Sequence, residues 1–511
     1  MAGIEDFFPM PEFRPKQREV LLKCHELFES GKKLILLQAP VGFGKSAVNT
    51  ALCRYYAPSL YTTPQLSLMD QIKNDEHLGK YFVEIKGRDH YTCAKMGFLV
   101  PVKYGLCKRQ AKVINKICNP FVECPYYSQK FRAAFADIAL MSTAYYIADA
   151  FLEPPLFGGR ELVVIDEGHF LAEHVAEQVK LEVSSSSLPK EVWSRVTDPK
   201  DVETIAEMVK EYLTKVEERL EAGEVLSDAG VAEVVKAAEW LGKARFYIES
   251  KAEWVWTENT ARLVRVRDLM PKIIWERGKR FVVSSATILD PEFWVAENGA
   301  DLAFRLDEIA FIDVGSTFPP ENRRVRDVSV GSMSYVDQKE TLPRAARMLN
   351  YIAFMHRNEN IAIHIPSYEL AHQLGSLVSF NGREVYLPFP SNRDLMLEKW
   401  KKNGGILFAV GLEEGQDWKY GTCHVQVLAK TLYPDIKDPV VQKRLEEKEF
   451  RWYMWHALVR CLQAYGRAIR APDDRMEFYV LDEKFWVLLK RMWKYVPDWF
   501  RQVVPENRLP R

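Results

Sequence analysis

Residues 34–46, LILLQAPVGFGKS, form an apolar run that breaks into a glycine-containing loop before a segment compatible with a helix. The run predicts a strand that leads into a phosphate-binding loop of the pattern A/G-x4-G-K-S/T. The members of this pattern are Ala39, Gly42, Gly44, Lys45 and Ser46. The glycines let backbone N–H groups turn toward phosphate oxygens, Lys45 can reach the β- and γ-phosphates, and the Ser46 hydroxyl can ligate Mg²⁺.

Length and composition predict a multidomain protein without a dominant charge. The chain has 511 residues, of which 47% are apolar, enough for roughly two to four domains. Lys plus Arg equals Asp plus Glu at 70 each, so any basic track for nucleic acid must be local. We see neither an apolar run of about 18 residues nor a signal peptide. We therefore expect an intracellular protein without a membrane partner, cytoplasmic (in the nucleoid) in a prokaryote or nuclear in a eukaryote.

A helix is predicted before the loop, and Arg14 and Gln17 at its start could reach a nucleotide base. A solvated helix start is the alternative. After the loop helix, residues 59–64 predict a second strand with Thr62 and Thr63 at its end. Strand, helix and strand in succession indicate a parallel α/β sheet. Hydroxyls at such a strand end suit phosphate contacts on a bound strand of nucleic acid.

The predicted alternation of strands and helices stops between residues 81 and 129. Four of the eight cysteines fall in this segment, namely Cys93, Cys107, Cys118 and Cys124. Four thiolates suit zinc or an iron–sulfur cluster, and four unrelated cysteines are the remaining alternative. Lysines and arginines, Arg88 among them, alternate here with tyrosines such as Tyr91. This mixture favours contacts with nucleic-acid backbone and bases, although a solvated face has the same composition.

Residues 161–169, ELVVIDEGH, predict an apolar strand that ends in two carboxylates. Asp166 is placed to hold Mg²⁺ through water, and Glu167 to orient or deprotonate an attacking water. Together with the upstream phosphate-binding loop, this strand predicts ATP hydrolysis.

The rest of the chain predicts an insertion and a second α/β unit. Residues 171–270 look mostly helical and interrupt the α/β order, whereas residues 280–287 resume the sheet. The proline-rich residues 317–322 mark a boundary, and four further strands follow from about residue 358. The two α/β units can close on one nucleotide.

A helical run near the end of the chain brings Gln463, Arg467 and Arg470 within one to two turns of each other. The planar fork of arginine can stabilise charge on a transferring phosphoryl group when the second unit closes over ATP. A surface helix with two arginines is the alternative.

The order of these motifs resembles a superfamily 2 DNA helicase of the XPD/DinG iron–sulfur type. The matching segments are residues 39–46 (motif I), 61–64 (Ia), 166–169 (the DEAH box), 285–287 (III), 364–368 (IV), 414–417 (V) and 463–470 (VI). The cysteines lie where this family carries its 4Fe-4S cluster, so the resemblance favours iron–sulfur over zinc. Gly168 stands in place of the usual Ala, a replacement that we expect to be tolerated.

The resemblance implies an α/β fold with two RecA-like parallel-sheet motor domains, an inserted iron–sulfur cluster domain and an inserted helical Arch domain. The first motor domain would comprise residues 1–80, 128–170 and 271–320, and the second residues 321–511. The cluster domain would be residues 81–127 and the Arch domain residues 171–270.

The resemblance also implies an ATP-dependent 5′-to-3′ DNA helicase, active in DNA repair or related DNA metabolism. Its cofactors would be ATP, Mg²⁺ and a 4Fe-4S cluster, and its partners single-stranded DNA and forked or 5′-tailed duplex; we expect a monomer. Catalysis would fall to Lys45, Asp166, Glu167, Gln463, Arg467 and Arg470. Nucleotide and Mg²⁺ would contact Gln17, Ala39, Gly42, Gly44, Lys45, Ser46, Asp166 and Asp417. DNA would contact Thr62, Thr63, Arg88, Tyr91, Ser367 and Tyr368.

Two other functions fit the same residues. The first is a DNA-stimulated ATPase that remodels protein–DNA complexes or verifies damage without processive unwinding. The second is a zinc-stabilised scaffold whose ATP site is regulatory.

Overall fold

The computed structural model describes residues 3–105, 122–152, 154–412, 418, 422–466 and 474–509. The strands are β1 Leu34–Gln38, β2 Ser59–Thr63, β3 Val83–Glu84, β4 Ile138–Ser142, β5 Arg160–Asp166, β6 Leu181–Glu182, β7 Trp254–Thr257, β8 Thr260–Leu263, β9 Gly278–Ser285, β10 Ile309–Asp313, β11 Arg323–Gly331, β12 Ile361–His364, β13 Val385–Tyr386, β14 Ile406–Ala409, β15 Val425–Leu428 and β16 Met476–Asp482.

The α-helices alternate with these strands. They are α1 Gln17–Glu29, α2 Lys45–Tyr55, α3 Leu66–Asn74, α4 Pro125–Ala134, α5 Thr143–Asp149, α6 Leu171–Val179, α7 Lys190–Trp193, α8 Val202–Glu221, α9 Asp228–Glu249, α10 Met270–Ile273, α11 Pro291–Glu297, α12 Ala300–Ala303, α13 Gln338–Met355, α14 Tyr368–Gly375, α15 Arg393–Asn403, α16 Pro439–Glu446, α17 Phe450–Tyr465, α18 Glu483–Arg491 and α19 Asp498–Arg501.

Two parallel sheets organise the chain. The first has seven strands in the order β10-β1-β9-β5-β2-β4-β3, and the second has six in the order β11-β16-β15-β12-β14-β13. Every residue of β1 and of β12 is buried, as expected for parallel strands whose two faces are covered by helices. We call the first sheet with its helices the first lobe, and the second sheet with its helices the second lobe. The predicted α/β class with two parallel sheets is confirmed.

The chain passes from one sheet to the other between β10 and β11. β10 pairs with β1 in the first sheet, and β11 pairs with β16 in the second. The proline-rich residues 317–322 therefore lie between the two sheets, where the sequence predicts a boundary. The other predicted domain limits stay predictions.

The segment after β5 is mostly helical, as predicted, and also contains a small sheet. The long helices α8 and α9 lie where the sequence predicts them. The same segment also carries a third, antiparallel sheet in the order β6-β8-β7 that the sequence did not predict. Its hairpin contains the run Trp254-Val-Trp-Thr257, and aromatic and β-branched residues of this kind favour strands. The signal is short, with four residues in each strand of the hairpin, and it follows the long helix α9.

Within the described part of the chain, no helix combines the length and the apolar character that a membrane span requires.

Candidate nucleotide site between the two lobes

The phosphate-binding loop connects the buried strand β1 to helix α2. Gly42 and Gly44 have φ angles of 83° and 86°, in the left-handed region that favours glycine. A Cβ atom at Gly44 would lie 2.5 Å from Nε2 of Gln17, so the loop also needs glycine there for space. α2 begins at Lys45, and the half-buried Ser46 follows in its first turn. The N-terminus of α2 is thus arranged as an anion site.

Gln17 is buried beneath this loop. Its Nε2 donates to the carbonyl oxygens of Phe43 at 2.9 Å and Gly44 at 3.2 Å. Its Oε1 accepts from the backbone N–H of Arg14 at 2.8 Å, and the Arg14 guanidinium donates to the Gly42 carbonyl at 3.2 Å. In this structure Gln17 and Arg14 therefore hold the loop in shape. The contact with a nucleotide base stays a prediction.

Lys45 reaches from the start of α2 to the end of β5. Its ammonium lies 3.1 Å from the Glu167 carboxylate and 3.4 Å from the carbonyl oxygen of Ala39. Glu167 has a φ of 50°, an uncommon backbone conformation for a residue other than glycine. Such conformations are concentrated at functional sites. The two motifs predicted from separate parts of the sequence therefore meet in one ion pair.

Asp166 is buried and oriented by three donors. Its Oδ2 accepts from the Tyr61 hydroxyl at 3.0 Å, and its Oδ1 accepts from the Ser284 hydroxyl at 2.8 Å and the backbone N–H of Glu167 at 3.1 Å. Burial, and secondarily the charge of Glu167, raise the pKa of Asp166 above its usual value. A bound Mg²⁺ would favour the ionised carboxylate.

Sequence reasoning missed the roles of Tyr61 and Ser284 as partners of Asp166. Asn49 of α2 extends this group, because its amide donates to the Ser284 hydroxyl at 2.8 Å. The available signal was the position of both hydroxyls on strands adjacent to β5, since β2 and β9 flank it in the sheet. Parallel order places their carboxyl ends at the same edge.

A chain of polar contacts leads from the acidic residues to the second lobe. Nδ1 of His169 lies 3.6 Å from the Glu167 carboxylate and 2.9 Å from the Ser285 hydroxyl. The Ser285 oxygen accepts from the backbone N–H of Thr287 at 3.1 Å, and Nε2 of Gln463 donates to the Thr287 hydroxyl at 2.7 Å. Gln463 belongs to α17, so the two lobes are joined by side-chain hydrogen bonds next to the site.

Helix α17 packs directly on the first lobe. The Trp455 indole donates to the carbonyl oxygen of Ile288 at 3.1 Å. A Cβ atom at Gly466, just after α17, would lie 3.2 Å from Cγ2 of Val41 in the phosphate-binding loop. The second lobe therefore borders the nucleotide site itself.

Five predicted site residues lie outside the described residues: Asp417, Arg467, Arg470, Cys107 and Cys118. Of the two described cysteines of the segment, Cys124 is buried in a hydrophobic cluster, and Cys93 is partly buried against the same cluster. Among the described residues, no three His, Cys, Asp or Glu side chains form a group that could hold a metal. With two of the four predicted ligands outside the described residues, the cluster stays a prediction.

The predicted DNA contacts differ in exposure. Thr62 and Thr63 are buried, and their hydroxyls donate to the carbonyl oxygens of Val164 at 3.3 Å and Gln65 at 3.0 Å. Ser367 is exposed and accepts from the N–H of Leu370, which caps α14, whereas Tyr368 is half-buried. The structure thus leaves Ser367 in contact with solvent and turns the threonine hydroxyls inward.

Arg88 and Tyr91 lie on one aromatic cluster at the cysteine segment. The Arg88 guanidinium lies over the ring of Tyr126 at 5.6 Å, and the rings of Tyr91 and Tyr126 meet edge to face at 5.6 Å. The Tyr91 hydroxyl also accepts from the backbone N–H of Lys86 at 3.2 Å. Both side chains are half-buried and have protein partners, so their contact with DNA stays a prediction.

A phosphate-binding loop, a lysine–glutamate pair and a second lobe hydrogen-bonded beside them form a two-lobed site suited to bind a nucleotide. Comparisons with known proteins point to helicase domains. Residues 350–503 match the family model of the helicase C-terminal domain. Residues 10–189 match that of the type III restriction enzyme, res subunit.

The fold is that of XPD helicases. An XPD helicase structure aligns with a TM-score of 0.66 and 17% identity over 95% of this chain and 99% of its own. The structure of Xpd4 from S. tokodaii aligns with a TM-score of 0.59 and 17% identity over 97% of this chain and 99% of the Xpd4 chain. The predicted resemblance in fold to XPD-type helicases, with two RecA-like lobes and inserted segments, is confirmed.

A curated relative points to the same class over a shorter stretch. A probable ATP-dependent helicase of Methanocaldococcus jannaschii is 23% identical over 207 residues, which cover 34% of this chain and 30% of that protein. The match therefore spans less than a third of the relative's length. Together with the two family models, it supports the prediction of ATP-dependent helicase domains.

Proposed function

We propose that this protein is an ATP-dependent DNA helicase that moves 5′ to 3′ on single-stranded DNA and unwinds forked or 5′-tailed duplex, in DNA repair or related DNA metabolism. The observation that carries the proposal is the contact of Gln463 with Thr287, at 2.7 Å, beside the Lys45–Glu167 pair. Because this contact joins the lobes at the nucleotide site, ATP binding and hydrolysis can change how the lobes sit together.

The residues of the site divide the chemistry of hydrolysis. Ser46 and Asp166 are suited to hold Mg²⁺, and Lys45 to contact the β- and γ-phosphates. Glu167 orients the attacking water and accepts its proton. Arg467 and Arg470, which follow α17, supply positive charge to the transferring phosphoryl group.

The test is an unwinding assay with two fluorescent duplexes that differ only in the polarity of their single-stranded tail. We expect ATP-dependent strand separation with the 5′ tail, and none with the Lys45→Ala variant. Lys23→Ala is the matched control, because Lys23 is 52% exposed and pairs with Glu26 on the same helix. Equal or faster unwinding of the 3′-tailed duplex would overturn the polarity. DNA-stimulated hydrolysis without strand separation would favour the remodelling ATPase.

We further propose that the cysteine segment holds a 4Fe-4S cluster. The support is the resemblance, together with the concentration of four of the eight cysteines in one short segment. Cys93, Cys107, Cys118 and Cys124 would hold the cluster, which would stabilise this segment beside the DNA.

Protein purified without oxygen should absorb near 400 nm and contain about four iron and four sulfide per chain. Cys93→Ser should lower both contents. Cys423→Ser should not, because Cys423 is buried in the second lobe with its sulfur 3.1 Å from the Val425 carbonyl oxygen. Zinc without iron or sulfide would contradict the proposal.

A further inference from the structure

One arginine of α16 contacts three separate parts of the chain. Arg444 is 4% exposed. Its Nε donates to the carbonyl oxygen of Val264, the residue that follows β8 of the third sheet, at 3.0 Å. Its Nη1 and Nη2 donate to the carboxylate of Glu297, the last residue of α11 in the first lobe, at 3.1 and 2.5 Å. Nη1 also donates to Glu449 at 3.0 Å. A side chain of the second lobe therefore contacts the first lobe and the third sheet at once.

The third of these partners lies at the start of α17. Glu449 directly precedes the first residue of this helix. One of its carboxylate oxygens accepts from Arg444, and the other accepts from Nε and Nη2 of Arg265 at 3.0 and 2.6 Å. Arg265 lies two residues after β8. The beginning of α17 is thus held by one arginine of the second lobe and by another at the end of the third sheet.

Helix α17 connects this cluster of charges to the nucleotide site. The helix has 16 residues and therefore spans about 24 Å. The Arg444 guanidinium lies 4.6 Å over the ring of Trp452, in the first turn of α17. At the other end, the Gln463 amide donates to the Thr287 hydroxyl at 2.7 Å, beside the acidic residues of the site. Because an α-helix is stiff over this length, the placement of its start determines where its end lies.

The contacts of Arg444 depend on the shape of the guanidinium as well as on its charge. Its planar fork forms two N–H bonds to the Glu297 carboxylate and keeps further donors for Val264 and Glu449. Lysine carries the same charge on a single nitrogen, which cannot contact all three partners in these positions. The buried carboxylates would then lose part of their compensation, a loss that matters more in the interior than at the surface.

We propose that Arg444 is a positioning residue for ATP hydrolysis. It fixes the start of α17 against the first lobe and the third sheet, and thereby the groups that α17 brings to the nucleotide site. The inference rests on the proposed function, in which Gln463 and the arginines that follow α17 act on ATP bound to the first lobe. Arg444 acts through α17 and not by contact with the nucleotide.

The expected consequence is a separation of kcat from ATP affinity. The phosphate-binding loop, Lys45 and the acidic residues belong to the first lobe, so ATP binding does not depend on where α17 lies. Hydrolysis does, because the groups of the second lobe must lie at the transferring phosphoryl group. Since a misplacement of about 1 Å can cost about 100-fold in rate, Arg444→Lys should lower kcat by about 10- to 100-fold. The equilibrium affinity for ATP should stay unchanged.

Steady-state hydrolysis and equilibrium ATP binding measure these two quantities, at a temperature well below the thermal unfolding of each variant. Arg245→Lys is the matched control, because Arg245 is 79% exposed and pairs with Glu249 on the same helix. It should leave both quantities unchanged. An unchanged kcat in Arg444→Lys would overturn the proposal. A fall of kcat in proportion to ATP affinity would also overturn it, since the defect would then lie in the first lobe.

Glu449→Gln tests the same positioning with a smaller change, because the Glu449 side chain is 28% exposed and glutamine can still accept from one of its arginines. It should lower kcat less than Arg444→Lys does, again without a loss of ATP affinity. If Arg444→Lys fails to fold, an unchanged kcat in Glu449→Gln overturns the proposal. Because both residues act on one contact, the double variant should lose little more than Arg444→Lys alone, and fully additive losses would contradict their joint role.

A distance measurement without ATP distinguishes this proposal from the proposed function. Spin-labelled amino acids replace Lys23 of α1 and Lys402 of α15, which are both exposed, in the full-length protein. Arg444→Lys should broaden or shift the distribution of distances between the labels, and Arg245→Lys should not. An unchanged distribution in Arg444→Lys would overturn the positioning role. A changed distribution, together with no ATP hydrolysis by the protein without Arg444→Lys, would contradict the proposed function alone.

Discussion

The Lys45 ammonium and the Glu167 carboxylate lie 3.1 Å apart, so the group assigned to the phosphates and the group assigned to the attacking water neutralise each other before nucleotide binds. ATP must displace the Glu167 carboxylate from Lys45. The freed carboxylate can then contact water. The pair therefore keeps the two proposed catalytic groups in place without leaving either charge unbalanced.

The variant Glu167→Gln should separate binding from chemistry. Hydrolysis should fall by about 100-fold or more, because a positioned general base is removed. ATP should bind at least as tightly, since it no longer has to displace a carboxylate from Lys45. Steady-state hydrolysis and equilibrium ATP binding measure the two effects. Glu177→Gln is the control, because Glu177 is 60% exposed and pairs with Lys180. Weaker ATP binding together with full hydrolysis would refute this assignment.

Removing the contact between the lobes should uncouple DNA from hydrolysis. Gln463→Ala and Thr287→Val each break the 2.7 Å hydrogen bond, so each should reduce the stimulation of hydrolysis by single-stranded DNA. Because both act on one contact, the double variant should lose little more than either single variant. Hydrolysis rates with and without DNA measure the coupling. Fully additive losses would show that the two residues act independently.

Gly168 is required by its neighbours in this chain. An added Cβ would lie 2.5 Å from Cγ1 of Val283 and 3.2 Å from Cγ2 of Ile165, so Gly168→Ala should cost about 1–3 kcal/mol of unfolding free energy. Glycine at position 168 thus fits this chain, whereas alanine, the usual residue of the family that the chain resembles, does not. Urea unfolding measures the cost.

Two variants make this test specific. Gly242→Ala is the control, because a Cβ there meets nothing within 4 Å and alanine favours the helix by up to about 1 kcal/mol. Removing the obstructing methyl groups with Val283→Ala should make Gly168→Ala less costly than it is alone. An unchanged cost in that background would point to a cause other than the contact.

The raised pKa of Asp166 predicts that Mg²⁺ binding is sensitive to acid. A protonated carboxyl group cannot ligate the cation, so Mg²⁺-dependent ATP binding should be lost as pH falls through this pKa, at a higher pH than for a free aspartate, about 3.9. Without ligand, the effect on stability has the opposite sign. Stability should fall as pH rises through the same pKa, because folding disfavours the ionised form.

Ser284→Ala should shift this transition to still higher pH. The Ser284 hydroxyl donates to Asp166 and lowers its pKa, so its removal favours the protonated carboxyl group. ATP binding at fixed Mg²⁺ across the acid range measures the midpoint. Ser376→Ala is the control, because the Ser376 hydroxyl is exposed and donates to the carbonyl of Gln373 in the second lobe. A midpoint that moves to lower pH would contradict the role of Ser284.

The sequence predicted the strands that carry chemistry because they are buried apolar runs, as in β1 and β5. It missed β11, which contains Arg323, Arg324 and Arg326 and has no continuous apolar run. In the structure, the Arg323 side chain donates to the carbonyl oxygen of Phe318, and Arg326 pairs with Glu477 on the adjacent strand β16. A charged strand at a sheet edge has no apolar pattern in its sequence. The cross-strand partners that stabilise it become visible only in the structure.

The site was predictable where its residues share a motif and not where distant residues meet. Lys45 and Glu167 follow from local spacing, but the support of Asp166 by Tyr61 and Ser284 depends on the order of strands in the sheet. Glu297 and Arg444 are 147 positions apart and neither belongs to a motif. Only the packing of the second lobe on the first lobe brings them together.

The close approach of Gly466 to Val41 also limits how this gene can vary. Gly466 has an ordinary φ of −71°, so its backbone does not require glycine; the requirement is one of space, at 3.2 Å. Every missense change of a glycine codon adds at least one carbon atom, and here that atom would press on the loop that binds phosphate. Each such mutation would therefore alter the two halves of the nucleotide site at once, although Gly466 itself has no side chain to contribute.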